Sequence, residues 1–415
     1  MSQPTTQSTA GPLLKELLTL PPVRVLNDKS WLHDKLTKET AEMDFGGKYA
    51  RFPVTLRRAL GRGSRGDAGS LPGAVPEVIE DAKVYMKRHY YALEWSEAME
   101  EASKNKAGAF EKVVTMKMKN VATDMAVELN RQWYNAANGA LASTTNSASG
   151  LTHVIDDTQF VQIGDLIDIV APDTGVAITN GTARSITAVD RTASTITLDA
   201  AGGNVDPAGT EIIVLNGNYG NEIEGLRAVA ETDRDLYGID STTYENWNGK
   251  TLDAEGGVAG ESLFERLYDK IGRRGAGDMD TYATTRGIRR RLADEFASQR
   301  RYLNEKATSP TAGYSMVEVN NQEVLIDDGA PRRHVFGFKR DVLKVLKMTD
   351  PGFIETEAGD GAKIELKNSV NGSGNATGGK DAVWQTWYRY HNTLVATDPS
   401  LVGKIYNAED DADDE

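Results

Sequence analysis

Apolar residues recur every three or four positions along one long segment, from about Phe110 to Asn138. At that spacing they lie on one face of an amphipathic α-helix, which has 3.6 residues per turn and so makes roughly eight turns here. Gly139 follows, and glycine is common just after a helix end. The pattern predicts a long helix that ends at Asn138 and packs by one face. The apolar stripe comprises Phe110, Val114, Met118, Val121 or Ala122, Met125, Leu129 and Trp133.

Two strand-like segments around a glycine-rich turn precede this helix. Tyr49 to Leu60 predicts the first strand, Gly61 to Gly73 the turn, and Val78 to Met86 the second strand. An isolated two-stranded hairpin is at best marginally stable in water. We therefore expect this long hairpin to lie against another surface.

Short strand patterns separated by Gly, Asp, Asn and Pro occupy the segment from Leu151 to Asn216. Such spacing is typical of a small β-barrel or sandwich, and we expect it to be inserted into a larger α+β fold. The predicted strands are Leu166 to Val170, Arg184 to Val189, Thr195 to Leu198 and Ile212 to Leu215, with a turn from Asp190 to Ser194.

The remaining patterns mix helices and strands, and we find no internal repeat. Ser96 is a suitable N-cap for a short helix that runs through Ala102, because its hydroxyl accepts a bond from the first turn. The other predicted helices are Asp28 to Glu42 (weak), Ser262 to Ile271 and Arg286 to Ser298; the other predicted strands are Met316 to Ile326, Val335 to Phe338 and, after a loop from Asn371 to Gly379, an extended stretch from Ala382 to Tyr406.

Composition indicates a folded globular protein. The chain has 415 residues, of which 39% are hydrophobic and 26% charged, enough for two or three cores. The absence of cysteine excludes disulfides, thiolate metal sites and thiol nucleophiles. No apolar run approaches the roughly 20 residues of a membrane helix, and the N-terminus carries no secretory signal pattern, so we expect neither membrane insertion nor secretion.

Charge is unevenly distributed along an acidic chain. The formal net charge of −14 argues against a dedicated nucleic-acid binder, which needs a basic face. Residues 409–415 form an acidic tail. The hairpin segment from Tyr49 to Ala82, by contrast, has no lysine and several arginines, and a cationic arm on an acidic protein suits contact with another copy of that protein. The candidate assembly contacts are Arg51, Arg57, Arg58, Arg62 and Arg65.

Two glycine-rich patterns fail as nucleotide sites. Gly61, Gly63 and Gly66 match G-x-G-x-x-G, but that fingerprint needs a helix to begin at the glycines. Pro72 and Pro76 follow instead, which predicts a hairpin tip. The run from Gly374 to Lys380 lacks the magnesium-binding hydroxyl of a P-loop, because the next residue is Asp381.

Other candidate chemistry is better explained by structure. Arg65, Gly66 and Asp67 spell an adhesion tripeptide that an arginine-rich loop produces by chance. The aspartate pairs at 156–157 and 327–328 fit turns. We therefore predict no catalytic, cofactor-binding or metal site. Two further groups fit core or surface positions: the dispersed histidines His33, His89, His153, His334 and His391, and the aromatic strand residues Trp384, Trp387, Tyr388 and Tyr390.

The order of elements, from arm through long hairpin and long helix to a mixed domain with a closing strand, resembles the major capsid proteins of tailed bacteriophages, with the Hong Kong ninety-seven type fold. Local segments are similar as well, and together they cover most of the chain. They are Leu71 to Gly73 at the hairpin tip, Ala92 to Met99 at the start of the helices, Asn221 to Leu226 after the inserted domain and Thr397 to Gly403 in the closing segment.

The resemblance implies an E-loop that reaches over a neighbouring subunit and an axial domain at the centre of pentamers and hexamers. Some relatives join subunits through an E-loop lysine; no lysine lies between Lys48 and Lys83, so we expect a non-covalent shell. The implied divisions are an N-terminal arm at 1–45, the E-loop at 46–86, a peripheral domain with the spine helix at 87–150, an inserted β-rich domain at 151–216, the axial domain with part of the peripheral domain at 217–380, a closing strand segment at 381–408 and the acidic tail at 409–415.

The function that the resemblance implies is that of a major capsid protein, without enzymatic activity or cofactor. Such a protein self-assembles through pentamers and hexamers into an icosahedral shell around double-stranded phage DNA, held without sequence-specific binding. The expected location is the virion, after assembly in the bacterial host cytoplasm and procapsid maturation. Because the chain begins at Met1 with a short arm, we expect a separate scaffolding protein, together with a portal, a possible cement protein and no membrane partner.

Three alternatives stay open from the sequence. An encapsulin-like compartment of the same fold would enclose a protein cargo. A hydrolase with a β-rich binding module would need acidic or histidine side chains that converge in a pocket. A tail or portal component would form rings rather than closed shells.

Overall fold

The computed structural model describes most of the chain, which divides into two compact units. The first unit is Met1–Asp28, Tyr90–Met125 and Pro351–Arg389; the second is Lys29–His89, Ala126–Asp350 and Tyr390–Glu415. The residues described are 30–39, 43–44, 47–67, 69–103, 113–146, 149–201, 203–274, 277–300, 317–355, 364–370 and 376–410.

The helices begin and end with local signals. At the second helix, the backbone N–H of Met99 donates to Ser96 Oγ at 3.3 Å, which confirms the predicted N-cap. Asp398 caps the last 3₁₀ turn by accepting from the Ser400 N–H at 3.0 Å. The α-helices are α1 Trp31–Glu39, α2 Glu97–Ser103, α3 Val113–Tyr134, α4 Leu226–Val229, α5 Glu261–Arg274 and α6 Arg286–Arg300, with 3₁₀ turns at Glu245–Trp247, Arg340–Val342 and Pro399–Leu401.

The strands fall into five sheets. In chain order they are β1 Met43–Asp44, β2 Tyr49–Arg57, β3 Val78–Tyr85, β4 Lys87–Ser96, β5 Ala140–Ser143, β6 Thr152–Val154, β7 Leu166–Val170, β8 Arg184–Asp190, β9 Thr195–Leu198, β10 Ile212–Leu215, β11 Asp235–Leu236, β12 Ile239–Asp240, β13 Lys250–Asp253, β14 Thr281–Thr284, β15 Glu318–Val319, β16 Gln322–Ile326, β17 Val335–Phe338, β18 Leu343–Phe353, β19 Glu365–Val370, β20 Ala376–Ala396 and β21 Val402–Tyr406.

The predicted hairpin is confirmed as β2 and β3, which pair antiparallel from Tyr49 opposite Tyr85 to Arg57 opposite Val78. Leu56 on β2 and Ala82 and Val84 on β3 are buried. Residues between 58 and 77 that the structure describes belong to no helix or strand. The hairpin therefore has a packed base and an exposed tip.

A six-stranded sheet lies between residues 140 and 216 of the second unit, and we call this segment the β-domain. Its strand order is β5-β10-β7-β8-β9-β6, and a bridge between Thr144 and Ile155 connects the two outer strands. The core is aliphatic, with Ile167, Ile169 and Ile213 fully buried. The sheet includes β5, so it begins before the start predicted at residue 151.

The largest remaining sheet has the order β13-β21-β17-β14-β16-β15, with β14 and β17 buried along their whole length. Helix α5 packs on it, because a Cβ added to Gly337 or Gly403 would lie within about 3 Å of the Leu267 side chain. Gly337 and Gly403 are opposite each other in the β17–β21 register. Two facing glycines thus allow the helix to approach the sheet closely.

The fifth sheet has the order β1-β18-β20-β19, and β4 pairs with β20. Within the first unit, Leu93, Trp95 and Val121 form a buried cluster, with Trp384 and Tyr388 packed against it. The predicted assignment of these two aromatics to a packed strand is thus confirmed.

Helix α3 confirms the predicted long helix but ends at Tyr134, four residues before Asn138. The Asn135 side chain accepts from the Ala136 N–H at 2.8 Å and donates to the Ala140 carbonyl oxygen, so it competes with the helical pattern. Residues 110–112 lie outside the described part of the chain. The prediction of one buried face was also wrong for the last turns, where Asn130 through Asn135 are all buried.

The segment from Ala92 to Met99 resembles the start of a helix in sequence, but most of it is strand. Residues through Ser96 belong to β4, where Leu93 and Trp95 are buried and their neighbours are exposed. This alternation has the period of two that a strand requires. Helix α2 begins only at Glu97.

Three other predictions need correction. Glu318 to Ile326 is a hairpin rather than one strand, because Asn320 and Asn321 take positive φ angles of 52° and 60°, which asparagine tolerates. The closing stretch is interrupted by the 3₁₀ turn at Pro399–Leu401. Residues 376–379 of the predicted glycine-rich loop lie in β20, and residues 371–375 lie outside the described ranges. The sequence patterns did not predict strands β1, β4, β5, β6, β11, β12, β13, β14, β18 and β19.

Candidate functional site

The base of the hairpin packs on the short β11–β12 ribbon. Leu56, Ala82 and Val84 share a buried cluster with Tyr237 and Trp247. The Lys83 N–H donates to the Tyr237 carbonyl oxygen at 2.8 Å. Among the described residues, the hairpin is therefore fixed to its own chain through its paired strands β2 and β3.

All five candidate arginines lie on this hairpin, and all are exposed. Arg51 forms an ion pair with Asp81 across the two strands at 3.4 Å. Arg65 Nε donates to the Ser70 carbonyl oxygen at 2.8 Å, which closes the tip on itself. Arg57, Arg58 and Arg62 extend into solvent. Their part in contacts between copies stays a prediction.

The tip, which we define as residues 58–77, also exposes large apolar side chains. Leu71 is 86% exposed, Leu60 47% and Val75 39%. The tip keeps a hairpin shape because the Leu60 N–H donates to the Val75 carbonyl oxygen at 3.1 Å. Apolar side chains held in water on an ordered projection indicate a binding surface.

A buried carboxylate, Asp327, connects three distant segments of the second unit. It accepts from Tyr134 Oη at 3.0 Å, from Asn130 Nδ2 at 2.6 Å and from the N–H groups of Leu32 and Gly329, both at 2.9 Å. Burial raises the pKa of Asp327 above its usual value, although these four donors oppose the shift. The same burial, with Asp327 nearby, raises the pKa of Tyr134.

This junction fixes the N-terminal helix α1. Two N–H groups of its first turn donate to side chains far away in sequence: Leu32 to Asp327 and, at 3.0 Å, His33 to Asn130 Oδ1. Leu32 and Leu36 are both 1% exposed. The orphan donors of a helix start are thus satisfied by tertiary contacts instead of a local cap.

A second buried junction lies where the chain leaves α3 and returns from the β-domain. Arg131, 3% exposed, donates from Nη2 to Glu128 Oε1 at 2.5 Å and to Glu222 Oε1 at 2.6 Å. Burial raises the pKa of Glu222, and Arg131 offsets this only in part. Burial would also raise the pKa of Glu128, but the charge of Arg131 and the hydrogen bonds from Arg131 and Gln132 together outweigh burial and lower that pKa. Two carboxylates therefore share one guanidinium.

The five histidines belong to no candidate metal site among the described residues. In that part of the chain, no group of three or more His, Asp or Glu side chains could hold a metal ion. Burial lowers the pKa of His89 to about 4 and that of His334 to about 3. His153 is fully buried in the β-domain, and burial lowers its pKa as well. These rings are neutral at pH 7.

The glycine motifs and paired aspartates have structural roles. Gly61, Gly63 and Gly66 lie in the exposed tip, where no helix begins, and the tripeptide at 65–67 lies there too. Asp156 and Asp157 accept from the N–H groups of Ser143 and Gln159 at 2.6 and 2.8 Å. The Asp157 bond, to a residue two positions away, agrees with the turn interpretation. The Asp156 bond instead connects segments 13 residues apart.

A cavity of about 260 Å³ lies beside α1, between Trp31 and the 3₁₀ turn at 340–342. Its polar side includes Asp280, which accepts from Thr281 Oγ1 at 2.8 Å and faces Arg340 Nε at 3.5 Å. Asp280 and Arg340 therefore form an ion pair with a structural role.

The sequence did not reveal Asp327, Arg131 or Glu222 as important residues. Asp327 and Gly329 alone suggest a turn, and the Gly329 N–H bond at 2.9 Å bears this out. Arg131 and Glu128 are three residues apart on a helix, a spacing that usually indicates a surface ion pair. Nothing local distinguishes a buried pair from an exposed one.

Within the described helices, none is both long enough and apolar enough to cross a bilayer.

Comparison with known proteins shows the fold. No protein family matches the sequence, and no curated protein matches it. The capsid asymmetric unit of cyanophage A-1(L) is similar in structure, with a TM-score of 0.59 and 12% identity over 98% of this chain and 100% of that one. Mycobacterium phage Ogopogo has a TM-score of 0.50 and 9% identity over 97% and 99% of the two chains.

The holo-SrpI encapsulin complex from Synechococcus elongatus PCC 7942 aligns with 98% of this chain and 96% of its own, at 8% identity. Its TM-score of 0.48 is too low to support an inference about this chain. The similarity to the cyanophage A-1(L) and Ogopogo structures shows that this α+β chain has the fold of a phage capsid subunit.

Proposed function

We propose that this chain is a phage major capsid protein that assembles into a closed icosahedral shell around double-stranded DNA. The observation that carries the proposal is the alignment with the cyanophage capsid subunit over 98% of this chain and 100% of that one. The role is structural rather than enzymatic.

The exposed hairpin tip supports this proposal physically. A side chain such as Leu71, 86% exposed, is unfavourable in water unless a partner covers it. In a shell built from pentamers and hexamers, each copy offers the tip of its E-loop (residues 46–86) to a neighbour, and many weak contacts add up to a stable assembly. The absence of lysine between Lys48 and Lys83 fits non-covalent contacts.

The proposed assignments of the other segments follow the same fold. Helix α3 is the spine helix of the peripheral domain, the segment at 217–380 contains the axial domain, and the β-domain is an insertion. We propose that a scaffolding protein directs assembly in the host cytoplasm, that a portal joins the virion, and that the acidic chain contains its DNA without binding it tightly.

Electron microscopy of the purified protein, with light scattering across a size-exclusion run, tests the proposal. We expect closed shells, or pentamers and hexamers that close when the phage scaffold is added, with DNA inside particles purified from infected cells. A protein that stays monomeric at high concentration and with scaffold would contradict a capsid role. Shells that hold a protein cargo instead of DNA would contradict the viral assignment.

A further inference from the structure

One surface of the β-domain combines exposed apolar and acidic side chains. Ile163 is 68% exposed and Leu166 47%. Both lie at the start of β7 against β8, because the Gly164 N–H donates to the Ile186 carbonyl oxygen at 2.8 Å and Leu166 pairs with Ser185. We call this surface the β-patch, and its residues are Ile163, Asp165, Leu166, Ala188 and Asp190.

The charge of the whole β-domain is strongly negative. Between residues 140 and 216 the sequence has nine carboxylates, two arginines and no lysine, a formal excess of seven negative charges. Arg184 is buried, with its guanidinium donating to the carbonyl oxygens of Asp199 and Gly203. Arg191 Nη1 donates to the Thr158 carbonyl oxygen at 3.1 Å. The β-patch therefore lies in a negative field.

The hairpin tip has the opposite charge and a similar apolar content. Its three arginines, Arg58, Arg62 and Arg65, outnumber Asp67 and Glu77 and give a net charge of +1. Leu60 and Leu71 are exposed in the same segment. The described tip residues form hydrogen bonds only within the tip. The paired strands end at Arg57 and Val78, so the tip lies beyond the residues that pack on the β11–β12 ribbon. The tip can thus meet a surface of another molecule.

We propose that the hairpin tip of one copy docks on the β-patch of a second copy. This inference rests on the proposed function and specifies one of the contacts that build the shell. Leu71 and Leu60 meet Ile163 and Leu166, while the tip arginines face the acidic β-domain. Apolar contact supplies affinity, and opposite charge selects the partner and its orientation.

Charge reversal on both surfaces tests the contact. The tip variant is R58E/R62E, and the patch variant is I163R/A188R, which places cations on the β-patch. Ile163 and Ala188 are exposed and their side chains carry no hydrogen bond, so we expect the patch variant to fold. Each variant should lower the fraction of protein in shells, measured by velocity sedimentation, by about tenfold or more. The chain that carries all four substitutions should regain part of that fraction, because the charges are again complementary although Ile163 no longer supplies apolar contact.

The matched control is V176R/N204R, which adds two arginines elsewhere on the β-domain. Val176 is 66% exposed and follows the far end of β7, and Asn204 lies beside Asn180 in the same region. This control should assemble as the unsubstituted protein does. Thermal unfolding of each monomer confirms that a loss of shells is not a loss of fold.

A cross-link supplies a second, independent readout. Because the chain has no cysteine, L71C and I163C in one chain give two unique thiols. A short bismaleimide should link residue 71 of one copy to residue 163 of another in assembled shells. Shells that form without this link would overturn the docking inference. So would a quadruple variant (R58E/R62E/I163R/A188R) that folds but does not assemble. Neither result would contradict the capsid function. An unsubstituted protein that forms no shells would instead contradict the function itself.

Discussion

Asp327 accepts four hydrogen bonds from neutral donors that come from α1, α3 and its own turn. A buried carboxylate without a cation is stabilised only by such donors, and each charge-assisted bond contributes more than a neutral one. The Asp327 carboxylate therefore accepts a hydrogen bond from the first turn of α1, as an N-cap side chain would, although it lies far away in the sequence. Loss of its second acceptor oxygen should release α1.

We expect Asp327→Asn to lower the free energy of unfolding by about 2–4 kcal/mol, because an amide nitrogen would face donors where an oxygen now accepts. Asp328→Asn is the matched control. Asp328 pairs with Arg286 at 2.8 Å near the surface, and such a pair contributes about 0–1 kcal/mol. Urea denaturation compares the two variants, and hydrogen exchange of residues 31–39 should increase only in Asp327→Asn. Equal effects of the two changes would contradict the anchoring role.

His89 makes stability depend on pH. Burial lowers its folded pKa to about 4, with Glu128 opposing and His391, Lys87 and Arg131 adding to the shift. The unfolded value is about 6.5, so only the unfolded chain takes up a proton between these values. The neutral ring stabilises the fold fully above pH 6.5, and this contribution is lost as the pH falls towards 4.

His89→Gln removes the titration. We expect the decrease in unfolding free energy from pH 7 to pH 5 to be smaller in this variant by about 1–2 kcal/mol, measured by urea titration at both pH values. The exposed neighbour Arg88 provides a control, since Arg88→Gln removes a charge that does not titrate in this range. An identical pH dependence in His89→Gln and the unsubstituted protein would refute the assignment.

Elements are held together by close backbone contacts as well as by side chains. Where the chain returns from the β-domain, Gly225 lies against the end of α3. A Cβ added there would lie 2.4 Å from the Gln132 carbonyl oxygen and 2.6 Å from the carbonyl oxygens of Trp133 and Asn135. These are backbone atoms of a buried helix end, which cannot move aside as a flexible side chain would.

Gly225→Ala should therefore destabilise the protein by about 3 kcal/mol or more, as overpacking against an unyielding neighbour does. Gly73→Ala is a suitable comparison, because a Cβ at that position meets nothing within 4 Å and should change stability by less than about 1 kcal/mol. Thermal melts of the two monomers measure the difference. A stable Gly225→Ala protein would show that α3 and the returning segment can separate without cost.

At the scale of the whole molecule, assembly should depend on the hairpin while folding does not. Arg57→Glu together with Arg58→Glu reverses two exposed charges beyond the buried base. We expect the double variant to fold with unchanged stability, within about 0.5 kcal/mol, and to fail to form shells. Circular dichroism and electron microscopy check the two parts. Normal particles would contradict the predicted role of these arginines in contacts between copies.

Much of the fold follows from local patterns in the sequence. The hairpin at 49–85, the long helix α3, strands β7 to β10 of the β-domain and helices α5 and α6 were predicted, because each depends on a periodicity or turn signal within some 10 to 25 residues. The errors lie where tertiary contacts override local preference. Strand β4 replaces an expected helix start, and the end of α3 is buried on every side.

The sequence by itself determined the kinds of element, their order and the positive, apolar hairpin tip, since helix and strand periodicity and formal charge are local properties. Only the tertiary structure decided which polar residues matter. Asp327 and Leu32 are 295 residues apart, and Arg131 and Glu222 are 91 apart. A buried carboxylate and an exposed one are the same letter in a sequence; what separates them is the loss of water around one of them, and that occurs only when distant segments come together.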